Sequence, residues 1–313
     1  MGAPVSLGTS VPLGASVAPG APGAEVVDAE CWRALGRAGF FAVLLPEASG
    51  GLGLGLPEAV LLFEEAGRAL LPGPLVGTAL AAGLVPGAAE GEAMVGALDA
   101  RHPLLEYPGV CRAALVLDGA TTRLLDTGEL ARCATPLDSL DPLTPLASLP
   151  GPLPARHPPG RPPGASRLRQ EATLLTAALQ LGSAARSVET AVAHARGRTQ
   201  FGRPIGAFQA VQHLCAGMLE RLEPARCAVY AAAVTGTAEE SAAAKLLADE
   251  AAIHNARDCL QVHGGTGFTW ESEVHLHLKR AWVRAAQWTT AQEAEELLAA
   301  ELLTPETDWP RNS

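Results

Sequence analysis

The sequence predicts an α+β protein that is mostly α, on three observations. Apolar residues recur at helical spacing through 25–88 and again through 167–302. Residues 89–150 instead carry short β-rich runs around a hairpin signal. A proline-rich stretch at 151–166 separates that part from the second helical part. The implied order is a flexible tail (1–24), an N-terminal helical domain (25–88), a small β-rich middle domain (89–150), a stiff linker (151–166), a C-terminal antiparallel four-helix bundle (167–302) and a tail (303–313).

In the first domain, Val26 to Ala38 carries Ala29, Trp32 and Leu35 at helical spacing. Phe40 to Pro46 reads as a short extended stretch, and Glu47 to Gly55 as a loop. The glycines of that loop match no phosphate-loop or dinucleotide spacing. Pro57 suits the first turn of a helix with apolar face Val60, Leu61, Phe63, Ala66 and Leu70. In the middle domain, Ala113–Leu117 and Thr122–Leu125 flank Asp118-Gly119, a hairpin turn pair, and four or five strands are expected. The stretch Gly151 to Ser166 holds six prolines, which excludes helix and central strand. Beyond it, Leu174, Leu175, Ala178, Leu181, Ala185, Val188 and Val192 mark one apolar stripe. Phe208, Val211, Cys215, Met218 and Leu222 mark a second. Ala225–Val234 and Glu239–Val262 read as Ala-rich helices, the latter stopped by Gly264-Gly265, and Glu271–Leu302 as the last.

Composition narrows the function classes. With 48% hydrophobic residues the chain is globular, and a net charge of -10 without a basic run argues against nucleic acid. No apolar stretch is long enough to span a bilayer, and the start lacks a secretory pattern. Six scattered cysteines without a C-x-x-C suit free thiols in a reducing cytoplasm. His275 and His277 are two apart on a helix and point to different faces, so no metal site is expected.

Two polar loops carry the chemistry. Arg198 ends one helix, with Gln200, Phe201 and Arg203 just beyond. Guanidinium groups there can bind a pyrophosphate by charge-assisted hydrogen bonds. Phe201 and Phe208 can pack against an adenine, and Gln209 can bond its edge. The second loop runs from Gln261 to Gly267, where glycines let backbone approach a phosphate, with a new helix starting near Glu271. Alone, each loop reads first as a plain helix end.

Together, Arg198-Thr-Gln-Phe-Gly-Arg-Pro-Ile-Gly-Ala-Phe-Gln209 and Gln261-Val-His-Gly-Gly-Thr-Gly-Phe268 resemble the flavin-binding end of the acyl-CoA dehydrogenase family. The resemblance is close over 166–285 and looser over 26–80. It implies contacts to the ADP half of an FAD held mainly by a neighbouring subunit, from Arg198, Gln200, Phe201, Ile205, Phe208 and Gln209. It assigns the pyrophosphate to Gln261, Gly264 and Gly265.

The same resemblance exposes three losses. The family's catalytic glutamate would fall on Trp288, which accepts no proton. The nearest carboxylates, Glu293, Glu295 and Glu296, are expected on a solvated helix. The minority position of the base falls on Ala172, one residue from Glu171, and a one-residue shift turns a helical side chain by about 100°. Glu171 by itself reads as an exposed first-turn carboxylate and is the weak catalytic candidate. The substrate-holding arginine would fall at Thr173, and the middle domain is reduced and lacks the flavin-ring segments. The expectation is a non-catalytic subunit of an α2β2 acyl-CoA dehydrogenase, of the kind found in bacterial steroid side-chain breakdown. It would share FAD with a catalytic subunit that carries the glutamate and the acyl-CoA. The alternatives are a homomeric enzyme using Glu171 and a flavin-free structural subunit.

Overall fold

The computed structural model describes residues 27–151 and 164–303. The tail 1–24 and residues 152–163 of the expected linker lie outside those residues. The elements are α1 (Ala29–Arg37), α2 (Leu56–Arg68), α3 (Leu75–Ala81), β1 (Val95–Asp99), β2 (Leu104–Glu106), β3 (Ala113–Asp118), β4 (Thr121–Asp126), α4 (Thr127–Cys133), β5 (Thr135–Leu137), β6 (Leu146–Ser148), α5 (Ala165–Gly197), β7 (Thr199–Gln200), β8 (Arg203–Pro204), α6 (Gln209–Thr235), α7 (Ala238–His263), α8 (Val274–Ala285) and α9 (Ala291–Leu303).

Asp28 caps α1 through its carboxylate, and Gly39 (φ 82°) follows its end. Phe40 to Pro46 is not extended. It folds into successive turns, with Ala42 N–H donating to Gly39 O and Leu45 N–H to Ala42 O. Aromatic packing explains the difference: Trp32 meets Phe41 at 4.6 Å and Phe40 stacks on Phe63 at 5.0 Å between centroids. Helix α2 has its proline in the first turn as expected, but Leu61 faces solvent, half exposed, while Ala59 takes a place in the core.

The middle region forms two three-stranded sheets, in orders β1-β3-β4 and β2-β6-β5, so it has six strands rather than four or five. The hairpin lies where expected, with Asp118 opposite Thr121 and Gly119 at φ 55°. The first sheet also has a parallel pair, β1 with β3. This region is tied to the helices by charge. Asp99 accepts from Arg101 and from Arg169 of α5, which together outweigh the cost of burial and hold its carboxyl below the usual range.

Helix α5 starts at Ala165, inside the stretch expected to be linker. Glu171 therefore sits in the second turn and is buried, bonded to Arg167 Nε at 2.8 Å, rather than exposed in the first. The middle of α5, from Glu171 to Ala185, is buried all round rather than on one stripe, because α2, α6, α7 and α8 surround it. Helix α6 runs unbroken through Pro224, where two helices were expected. The segment 271–302, expected to be one helix, is two. Trp288 at φ 59° breaks it, and Thr290 with Glu293 then caps α9, Thr290 N–H donating to the Glu293 carboxylate at 2.9 Å. Leu303 closes that helix instead of opening a tail.

The seam between α2 and α5 depends on two facing glycines. A Cβ on Gly67 would stand 2.0 Å from Leu179 O, and one on Gly182 would stand 1.9 Å from Glu64 O. Backbone atoms cannot yield as side chains do. Gly182→Ala should cost about 3 kcal/mol of stability, measured by urea unfolding. An unchanged midpoint would show that the helices can separate freely.

Candidate functional site

The two polar loops lie together at one end of the bundle. Arg198 caps α5 in extended conformation, and the chain turns back through the two-residue hairpin β7–β8. Phe201 (φ 50°) and Gly202 (φ 75°) make that turn, both in the left-handed region that a tight hairpin demands. Phe201 is consequently 91% exposed, a large apolar ring held out in solvent. It stands edge-on to half-buried Phe208 at 6.1 Å, and the Arg203 guanidinium lies 4.2 Å over the Phe208 ring. Ile205 N–H donates to Arg198 O at 2.8 Å, fixing the hairpin base, and Gln209 opens α6 with its side chain exposed.

On the second loop, Gly264 ends α7 at φ 62°, a conformation a side chain would strain. Gly264 and Gly265 both open onto empty space where a Cβ would stand. The helix expected near Glu271 begins at Val274, after a 3-10 turn over Gly264–Phe268. Gln261 is exposed in the last turn of α7. The link between the loops is a stack of His194 on His263, centroids 4.0 Å apart and rings within 27° of parallel. Below it a small core, including Ala191, Ala195, Met218, Cys259 and Leu260, joins α5, α6 and α7.

The chemistry of this end suits an anion beside an apolar ring system. Arg198, Gln200 and Gln261 have no side-chain hydrogen bond or ion pair among the described residues. The exposed guanidinium, the open glycine backbone and the projecting phenylalanine can hold a pyrophosphate and an adenine. These donors fit the ADP half of FAD.

A second place merits description because it holds Trp288. A narrow cavity of about 20 Å³, room for roughly one water, is lined by Gly73–Gly77, Glu106, Tyr107, Thr176, Arg280, Arg284, Gln287 and Trp288, among others. Trp288 is buried there. Arg280 is 1% exposed, and its Nε donates to the Asp141 carboxylate. Burial works against the Arg280 charge, but Tyr107, Asp141 and Glu106 outweigh it and raise its pKa. Arg284 has less compensation: burial and the neighbouring Arg280 bring it down to about 10. Burial pushes the Glu106 carboxyl up, against the pull of Arg284 and Gln287. This ionic cluster was not anticipated. Its only local trace is Arg280 and Arg284, four apart on α8.

The remaining candidates sit elsewhere. Glu171 does not line the cavity. Thr173 bonds Thr289 at 3.0 Å between hydroxyls. Glu295 and Glu296 are exposed, but Glu293 is half-buried: besides capping α9 it meets Arg101 at 2.8 Å and His102 at 2.9 Å. His275 and His277 are both buried, and His277 meets the Ser183 hydroxyl at 2.8 Å. Burial, with help from nearby arginines, lowers the His277 pKa to about 3. No cluster of three or more metal-ligating side chains occurs among the described residues, and no described helix is long and apolar enough to cross a membrane.

Comparison with known proteins gives the family and the fold. The family profile "Acyl-CoA dehydrogenase, C-terminal domain" matches residues 166–307, and "Acyl-CoA dehydrogenase, N-terminal domain" matches 16–89. The chain is 35% identical over 290 residues to the acyl-CoA dehydrogenase IpdE2 of Mycobacterium tuberculosis, covering 88% of this chain and 87% of that one. Among solved structures it is similar to a steroid ACAD variant, Tcur3481-Tcur3483, with TM-score 0.75 and 24% identity over 88% of this chain and 89% of that one. It is also similar to the ChsE4-ChsE5 complex of Mycobacterium tuberculosis, with TM-score 0.72 and 25% identity over 88% of each chain.

Proposed function

Because the chain belongs to the acyl-CoA dehydrogenase family, we propose that it acts as the non-catalytic subunit of a heteromeric, FAD-dependent member of it. The observation that carries this reading is Trp288. The position where the family resemblance puts a proton-accepting glutamate holds a buried indole, beside a cavity too narrow for an acyl chain. The carboxylate in that cavity, Glu106, is engaged by Arg284 and Gln287. The nucleotide end, by contrast, is open.

In this reading FAD, when bound, supplies hydride acceptance in α,β-desaturation of an acyl-CoA. This chain holds the ADP half. Arg198 and the Gly264-Gly265 backbone carry the pyrophosphate charge, and Gln261 bonds beside them. Phe201, Ile205 and Phe208 flank the adenine, and Gln200 and Gln209 bond polar edges. Proton abstraction falls to the partner, which also binds the acyl-CoA. The likeness to a complex of two different chains, ChsE4 and ChsE5, supports a heteromer, with α2β2 as the proposed stoichiometry. The likeness to the steroid ACAD Tcur3481-Tcur3483 supports a steroid-derived acyl group.

The test is purification of the chain alone and co-expressed with a homologue from the same genome that carries the catalytic glutamate. The expected result is dehydrogenase activity and stoichiometric FAD only in the co-expressed sample. A chain that alone binds FAD stoichiometrically and oxidises acyl-CoAs would overturn the proposal.

A further inference from the structure

We propose that the His194–His263 stack is a positioning element of the nucleotide site: it locks the two loops together and takes up one proton from solvent when an anionic pyrophosphate docks between them. This rests on the nucleotide-site reading above. The starting observation is the stack itself, at 4.0 Å between ring centroids. His194 lies one helical turn before Arg198, and its carbonyl accepts the Arg198 N–H at 2.8 Å. His263 immediately precedes Gly264. The ring pair therefore sets how far apart the guanidinium and the open glycine backbone stand.

The proton follows from hydrogen bonding. His263 Nδ1 lies 2.8 Å from the carbonyl oxygen of Cys259. A carbonyl only accepts, so the ring keeps a proton on Nδ1, and in the neutral ring Nε2 is bare. A bare nitrogen repels an anion, whereas a protonated one attracts it. The charged and titratable groups around the pair are Arg198 on α5, Cys259 on α7, and Cys215 on α6 and Glu273 before α8, both of which act on Cys259. Burial, His263 and Arg198 together hold His194 below the ordinary histidine range. Burial pushes Cys259 up to about 12, so that thiol offers no counter-charge. His194 is thus biased towards its neutral form in the free protein. A docked pyrophosphate offsets Arg198 and makes one imidazolium favourable. A second would face the first at stacking distance, so uptake stops at one.

The sign of the pH dependence is fixed by that uptake. The bound state holds the extra proton, so affinity rises as pH falls from 8 towards 6, by about tenfold. The probe is FAD, whose pyrophosphate diester does not itself titrate in this range. FAD binding to the co-expressed complex, stripped of flavin, is followed by calorimetry in two buffers of different ionisation heat. Linked proton uptake is expected. His194→Phe/His263→Phe, which keeps two stacking rings, should bind FAD without uptake and with a flat pH profile. Wild-type binding without a linked proton, or uptake that survives in the double variant, overturns the role of the stack and leaves the nucleotide site standing. If Arg198→Ala also binds FAD as tightly as wild type, the nucleotide-site reading itself is overturned.

Discussion

Asp141→Ala should destabilise the protein by roughly 3–5 kcal/mol, the cost of leaving a buried partner charge uncompensated. Asp141 is fully buried, and its carboxylate takes Arg280 Nε, the Thr144 hydroxyl and, at 3.0 Å, the Leu143 N–H. Arg280 cannot escape to water, since it is itself 1% exposed. Its remaining contacts, to Leu70 O and Leu71 O, are long at 3.4 Å, and its Nη2 has no partner at all. Arg280 and the equally buried Arg284 would then repel each other with only Glu106 as an acidic neighbour to offset them. Although burial raises the Asp141 pKa, Arg280 and the hydrogen bonds more than reverse this and leave it below the usual carboxylate range. Its stabilisation is therefore present above the unfolded carboxylate pKa and lost as pH falls through the lower folded one. Chemical denaturation at pH 7 and pH 3 measures both effects. A variant as stable as wild type at pH 7 would mean that Arg280 finds another anion.

Arg198→Ala should weaken FAD retention by the co-expressed complex by on the order of tenfold to a hundredfold, the about 1.5–3 kcal/mol of a hydrogen bond to a charged group. Folding should be unaffected, because the side chain is exposed and bonds nothing else described. Flavin content after gel filtration and unfolding midpoint, read on the same sample, separate the two effects. Unchanged flavin content would favour a flavin-free structural subunit.

The turns and helix ends of the two-loop end were legible in sequence because its parts are local. A helix end, a tight turn needing Phe201-Gly202 and a positive-φ Gly264 each leave a mark within a few residues. The cavity was not legible, because Glu106, Asp141 and Arg280 come from three distant segments and only folding brings them together. Two errors had local remedies. The Thr290-Ala-Gln-Glu293 capping box marks the start of α9, but the apolar periodicity on both sides masked it. Ala165 continues into α5 directly after the last proline and glycine, which moves Glu171 a turn inward and buries it. Phe40 to Pro46 misled for another reason: its β-favouring side chains serve an aromatic cluster, and packing overrode propensity.

The glycine seam between α2 and α5 has a consequence for synthesis. Phe63 and Ala66 of α2 are buried, and the seam opposes Gly67 to Leu179, more than a hundred residues further along the chain. A ribosome must therefore make the whole β-rich region and half of α5 before that surface can close. For that interval the nascent chain presents the α5-facing side of α2 uncovered, although Phe63 can already stack on Phe40, and uncovered apolar surface is where chaperones intervene and aggregation begins. Translation speed across the proline-rich stretch, immediately upstream of α5, sets how long the interval lasts.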